Sequence, residues 1–164
     1  MEDCEEHSLY VYPQQTRKIE EVREGGYAYF SENDLLLAKL GGCFENRKMS
    51  ITKNLVNGVG FGSTEFIVLR TGEEVMIEWV YFCLQNSNFF QEGKDTMKGT
   101  TLQRISLDFL NNYLIPLPPI EVQKNFIEEL KRDEKDKQNL KTFISNQNDK
   151  KARILKTLWE KVDN

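Results

Sequence analysis

The chain has 164 residues, of which 39% are hydrophobic and 29% charged, the balance of a folded globular protein rather than a disordered one. That length suits one domain plus an appendage, and no apolar run approaches the roughly 20 residues of a membrane span. The net charge of −4 excludes a uniformly basic protein that coats duplex DNA, because neutralising phosphates takes a surplus of Lys and Arg.

The charge is unevenly spread. Residues 1–30 hold seven acids and three bases, residues 31–115 ten and eight, and residues 116–164 nine and eleven. Acidity is therefore concentrated at the N-terminus, and a local basic face in the middle is compatible with the total. Glu2, Asp3, Glu5 and Glu6 open the chain without an apolar stretch, so no signal peptide is expected and the cytoplasm is the default compartment. Cys4, Cys43 and Cys83 are an odd count without CxxC spacing, which predicts free thiols in a reducing compartment. Cys4 and His7 lack a nearby third ligand, so no metal and no cofactor are expected.

In chain order, Leu9-Tyr10-Val11-Tyr12 reads as a short strand stopped by Pro13. Ile19 to Arg23 is short and polar. Gly25-Gly26 is a turn, with the aromatics Tyr27 and Phe30 just beyond it. This opening holds little apolar strand and predicts a domain that is incomplete at its N-terminus. Ser31 to Asp34 is a turn cluster. Leu35 to Leu40 is an apolar run of buried-strand length, ended by Gly41-Gly42. Phe44 to Lys48 reads as a polar loop with two adjacent cations. Met49-Ser50-Ile51-Thr52 alternates as a half-buried strand does, and Asn57-Gly58 signals a tight turn.

Gly58 to Thr64 is glycine-rich and invites a phosphate-loop reading. The context excludes it, because such loops run from strand through glycines into a helix N-terminus. Here Glu65 to Arg70 is a strand. The remaining reading is a loop whose glycines allow a positive φ or a close backbone approach. Glu73 to Leu84 is richly apolar and predicts a helix packed on the sheet. Phe89-Phe90 reads as core. Gln91 to Thr101 shows no apolar periodicity except Met97. Ser106 can cap a short helix through Leu110. Tyr113-Leu114-Ile115 reads as a final strand ended by Pro116, and Pro116-Leu117-Pro118-Pro119 as a rigid joint.

From Ile120 to Asn164 there is neither Gly nor Pro, and a helix of that length spans roughly 60 Å. Ile127, Leu130, Ile144, Leu155, Leu158 and Val162 supply the apolar positions of an imperfect coiled-coil stripe, weak between Lys131 and Asn139. A lone helix of this kind is marginal in water, so it needs a partner helix from another copy or another protein. The pattern as a whole predicts an α+β fold. A mixed-sheet domain over residues 1–116 precedes a helix over residues 117–164 that pairs as a coiled coil.

Five stretches carry a resemblance. They are Asp34-Leu35-Leu36-Leu37-Ala38-Lys39, Cys43-Phe44-Glu45-Asn46-Arg47-Lys48, Gly60 through Arg70 (GFGSTEFIVLR), Met97-Lys98-Gly99-Thr100 with Gln103-Arg104-Ile105, and Ile115-Pro116-Leu117-Pro118-Pro119-Ile120 with Gln123. In this order, over roughly residues 30 to 130, the chain resembles the specificity subunit of type I restriction-modification systems. It looks like one target-recognition domain followed by one spacer helix, where full-length members carry a tandem pair. A half-length subunit and a gene fragment would both look like this.

The resemblance implies recognition of double-stranded DNA, with catalysis in separate methyltransferase and restriction subunits. It implies no cofactor on this chain. The sequence agrees that catalysis lies elsewhere: Pro118-Pro119-Ile120 follows leucine and is not a methyltransferase motif, and the single histidine is His7. Reading bases calls for Arg, Asn or Gln, and phosphate contacts for Lys, Arg, Ser and Thr. The loops with this inventory make Arg47, Lys48, Lys94, Lys98, Thr100, Thr101, Gln103 and Arg104 the candidate DNA contacts. The competing reading of these residues is solvated loop, with Arg104 in an internal ion pair. A homodimer through the C-terminal helix would hold two such domains apart and select a bipartite, palindromic target. The alternative function is a protein-interaction module, or a silent recombination fragment, acting through the helix.

Overall fold

The computed structural model describes residues 8–162 apart from Gln14, Glu24, Thr100 and Thr101. The chain divides into two compact units, Met1–Gln123 and Lys124–Asn164.

The first unit is α+β, as the pattern predicts. Its centre is a mixed four-stranded sheet of β1 (Tyr10–Val11), β4 (Met49–Thr52), β3 (Leu35–Ala38) and β6 (Phe66–Leu69), in that order. β1 runs parallel to β4, and the other pairings are antiparallel. A separate antiparallel ribbon pairs β2 (Ala28–Ser31) with β5 (Val59–Gly62).

Alternation along β3 explains why all four of its residues are buried. Leu35 and Leu37 join the main core with Phe44, Met49, Ile51, Ile77, Tyr81 and Phe89. Leu36 and Ala38 point to the other face and pack with Val11, Phe30 and Phe66. A strand covered on both faces is uniformly apolar, and β3 is. β4 differs from its expected half-burial, because Ser50 and Thr52 are also buried. Nearby backbone satisfies their hydroxyls, as buried polar groups require. Ser50 Oγ donates to the Ser8 carbonyl at 2.8 Å, and Thr52 Oγ1 donates to the Ser31 carbonyl at 2.7 Å.

The glycine-rich stretch is a strand rather than a loop. A Cβ on Gly60 would lie 2.1 Å from Phe30 Cε2. Glycine lets the ribbon lie flat against that buried ring, the close approach expected of a strand glycine. Asn57 (φ 56°) and Gly58 (φ 69°) make the tight turn that leads into β5.

Helices cover the main core. α1 (Ile19–Arg23) is a short, largely exposed turn of helix. α3 (Ile77–Leu84) begins four residues later than the apolar pattern predicts, with Met76 as its N-cap. Two further helices correct the sequence reading. Gly41–Glu45 is α2, not the end of a strand and the start of a loop. The fully buried Phe44 pulls this turn into the core, and the Phe44 N–H donates to the Leu40 carbonyl at 2.8 Å. Ser87–Asp95 is α4, where the sequence shows little periodicity. Its buried face is Phe89, Phe90 and Gly93, and a glycine on the packed face is invisible to a search for apolar periodicity. Asn86 caps it, accepting from the Asn88 N–H at 2.9 Å.

α5 (Leu107–Asn112) begins at Ser106, whose Oγ accepts from the Phe109 N–H at 3.5 Å, so the predicted cap holds. Tyr113-Leu114-Ile115 is extended but joins no sheet among the described residues, a further correction. Tyr113 and Ile115 pack on the core while Leu114 is 92% exposed. The proline segment beyond is tied to α3 by side chains: Trp79 Nε1 donates to the Pro116 carbonyl at 2.8 Å.

α6 (Ile120–Val162) is the long helix the sequence predicts. Its first turn belongs to the first unit through Gln123, which is wholly buried. Gln123 Oε1 accepts from the Met76 N–H at 3.0 Å, and Nε2 donates to the carbonyls of Glu74 (3.1 Å) and Pro118 (2.8 Å). One amide side chain thus joins the helix start, the proline segment and the start of α3. No described helix is long and apolar enough to cross a membrane.

Candidate nucleic-acid interface

The β3–β6 ladder pairs Leu35 with Leu69 and Ala38 with Phe66. Continued one step each way, that register sets Asp34 beside Arg70 at one end and Lys39 beside Glu65 at the other. The second end gathers Lys48, Lys98, Gln103 and Arg104, four of the six described residues expected to contact DNA. The Lys39 N–H donates to the Glu65 carbonyl at 2.9 Å, and the Ala38 N–H to the Lys48 carbonyl at 3.0 Å. The Ile105 N–H donates to the Lys39 carbonyl at 3.1 Å, and the Gly41 N–H to the Gln103 carbonyl at 2.8 Å.

Lys98, Gly99 and Leu102 to Arg104 are the described part of a closed loop. Lys98 and Arg104 exchange backbone hydrogen bonds of 3.3 and 3.2 Å. Gly99 has φ 114°, and a Cβ there would lie 2.9 Å from the Leu102 carbonyl oxygen, so the closure requires glycine. Lys98, Leu102 and Gln103 are exposed. Thr100 and Thr101, two of the candidates, lie outside the described residues.

Arg104 ends this loop, and its guanidinium is held by Glu65. Nε donates to Oε2 at 2.8 Å and Nη2 to Oε1 at 2.7 Å, the paired fork that makes arginine–carboxylate contacts strong and directional. Nη1 donates to the Leu102 carbonyl at 3.2 Å. The Arg104 hydrogen bonds hold the Glu65 carboxyl below its ordinary value despite some burial, and the charges of Arg104 and Lys39 reinforce this. The internal ion pair considered for Arg104 is therefore present.

The other loop is a helix ending. The Arg47 N–H donates to the Phe44 carbonyl at 2.8 Å and the Lys48 N–H to the Cys43 carbonyl at 3.0 Å. These two bonds form a Schellman motif after α2. Arg47 occupies its left-handed position, with φ 54°, where glycine or asparagine is usual. The guanidinium sits 5.3 Å from the centre of the Phe90 ring and Nη2 donates to Ser87 Oγ at 3.2 Å. These contacts fasten α2 to α4. Lys94 Nζ pairs with Glu45 Oε2 at 2.9 Å on the exposed side of the same helix pair. Lys48 is half-buried at the sheet end.

The structure thus brings Lys48, Lys98, Gln103 and Arg104 together at one end of the sheet. Arg47 and Lys94 stand on the α2–α4 pair, with their side chains engaged there. Sequence reading did not single out Lys39, Glu45 or Glu65 as individual residues. The signal for Lys39 and Glu65 is their ladder position, one residue outside β3 and β6, which exists only once the register is known. Of the expected helix-interface residues, Ile127 is buried and Leu130 half-buried. The side chains of Ile144, Leu155, Leu158 and Val162 lie outside the described residues.

Among the described residues Cys43 and Cys83 are free thiols, and burial pushes the Cys83 thiol up; Cys4 and His7 lie outside the described residues. The described residues contain no group of three or more His, Cys, Asp or Glu side chains arranged to hold a metal ion.

An α+β module with a braced polar loop at one end of its sheet, continuing into a long helix, is the class this architecture defines. No family model matches the chain. It is 34% identical over 119 residues to the specificity subunit of the type I restriction enzyme EcoEI of Escherichia coli, a match covering 71% of this chain and 20% of that protein. It is 34% identical over 113 residues to the EcoAI specificity subunit of the same organism, covering 68% and 19%. The chain is therefore similar to part of the type I restriction enzyme specificity subunits, and it spans about a fifth of the length of the relatives it matches.

Proposed function

We propose that the chain recognises double-stranded DNA as part of the specificity component of a type I restriction-modification system, with methylation and cleavage carried out by separate subunits. The observation that carries this reading is the 34% identity to two specificity subunits across about 70% of the chain. The sheet end supports it chemically. Lys98 and Gln103 are exposed on a closed loop, with Lys48 near its base. Lysine and backbone N–H groups suit phosphate, and the Gln103 amide suits the adenine edge. Thr100 and Thr101, which lie outside the described residues, are proposed for the same role on the chemistry of their hydroxyls. Arg47, Lys94 and Arg104 support these contacts by fastening the surrounding elements, with any direct contact to DNA limited by their internal partners.

A methyltransferase subunit is the proposed partner, with a restriction subunit in the full complex. The α6 helix pairs with a second copy through Leu130, Ile144, Leu155, Leu158 and Val162, and the complex works in the cytoplasm; Ile127, expected in that interface, is already covered within the single chain and is left out of it. The test is selection from a randomised duplex library by the chain together with its methyltransferase. An enriched, bipartite motif is expected. Lys48→Ala with Lys98→Ala should lower affinity for the enriched duplex, and flatten the slope of log K against log salt by about 0.9 for each phosphate no longer neutralised.

The net charge of −4 and the 43-residue helix favour one second reading, a protein-interaction module acting through α6. A library from which no duplex is enriched, with the methyltransferase still bound, would select it.

A further inference from the structure

We propose that Glu65 is a positioning residue for DNA recognition: through Arg104 it holds the 98–104 loop in the shape that meets the duplex. The inference rests on the DNA reading of that loop. Three observations carry it.

The first is where Glu65 stands. It lies immediately before β6, and its carbonyl is bonded to Lys39, immediately after β3. Its own N–H donates to Ser63 Oγ at 3.1 Å. The brace is therefore rooted beside a strand whose four residues are all buried. The second is what Arg104 has left to offer. Three of its five N–H donors are engaged, two by the carboxylate and one by the Leu102 carbonyl. The fork that would read guanine is thus turned onto Glu65. Arg104 acts on DNA through the loop it closes, since its backbone bonds with Lys98 form the neck of that loop.

The third is a matter of sign. A carboxylate beside a phosphate-facing loop repels DNA, so removing it should tighten binding if charge were its whole effect. If Glu65 positions the loop, removing it should weaken binding. The two accounts predict opposite directions from one substitution.

The experiment uses the full chain with its methyltransferase and the duplex enriched from a randomised library. E65Q should bind that duplex about tenfold more weakly. R104A should do the same, with the salt slope unchanged rather than reduced by the roughly 0.9 of a direct phosphate contact. Amide hydrogen exchange in the free protein supplies a second readout. The Lys98 and Arg104 amides should lose protection in E65Q while the amides of β3 keep theirs. Binding by E65Q that equals or exceeds wild type overturns the proposal, as does wild-type protection of both amides. Should E65Q fail to fold, the reversed pair E65R with R104E replaces it. Recovery of protection and binding relative to R104E alone supports the brace, and no recovery overturns it. A wild-type chain that enriches no duplex sinks the DNA reading itself, and the exchange result then decides the brace alone.

Discussion

The two ends of the β3–β6 ladder put one chemistry to different uses. At each, an arginine grips a carboxylate through a paired fork. Asp34 accepts from Arg70 Nε and Nη2 at 2.7 Å each, and Glu65 accepts from Arg104 at 2.8 and 2.7 Å. The embedding differs. The Asp34 side chain is 1% exposed and also takes the Ser31 N–H at 2.6 Å, whereas Glu65 is 24% exposed and serves a surface loop. Burial pushes the Asp34 carboxyl up, but the Arg70 and Ser31 hydrogen bonds and the Arg70 charge outweigh it and leave the group below its ordinary value. A buried carboxylate that loses its partners is left without water. A surface pair that opens returns both groups to solvent at little cost. The Asp34 end should therefore govern stability, and the Glu65 end should govern the shape of the loop.

The largest expected effect is at the buried end. Asp34→Ala strands the Ser31 N–H and leaves a void among Thr52 and Ser31, and should cost about 2–3 kcal/mol in urea unfolding. DNA affinity of the folded fraction should not change. A loss of affinity without loss of stability there would reverse the assignment of the two ends. Next in size is Gln123→Ala, which breaks three hydrogen bonds at the start of α6 and should cost about 2 kcal/mol. Its effect should appear as reduced exchange protection at Met76, a residue that reports on neither clamp.

The pH dependence compares the clamps directly. Both carboxyls are lowered in the fold from ordinary values of 3.8 (Asp34) and 4.5 (Glu65). Depressed carboxyl values contribute stability that is fully present above those ordinary values and lost as pH falls through the folded ones. Wild-type protein should therefore lose stability below about pH 4.5. Asp34→Asn should flatten most of that fall, and E65Q only a small part. An equal flattening by both would show that the clamps are energetically alike.

The smallest expected effect is at Arg47. Arg47→Gly suits the left-handed φ of 54° but gives up the Phe90 contact, so stability should change by no more than about 0.5–1 kcal/mol in either direction. Thermal unfolding and duplex titration together separate the roles: a large affinity loss at unchanged stability would make Arg47 a direct DNA contact.

Much of the architecture could be read from the chain because it follows from local rules. The uniform apolarity of Leu35–Ala38, the Ser106 cap and the unbroken stretch after Ile120 each announce their element. Two helices were hidden from such rules for one reason. α2 opens with Gly41-Gly42, and α4 packs Gly93 on its buried face, so glycine stands where periodicity looks for an apolar side chain or a stop. Tyr113–Ile115 misled in the opposite way. Its alternation is real, with two side chains in the core and one in water, but alternation alone does not supply a strand to pair with.

The sequence by itself determined the family resemblance, the α+β class and the pool of polar residues from which a DNA-facing loop could be drawn. It did so because motif order, apolar period and side-chain chemistry are properties of the chain. Tertiary structure alone decided which members of that pool are spoken for. Glu65 lies 39 residues from Arg104, and Glu45 lies 49 from Lys94. Ion pairs across such sequence separations arise only when strand register and helix packing bring the partners within hydrogen-bonding distance. That register turned Arg104 from a free cation into the brace of the loop it ends.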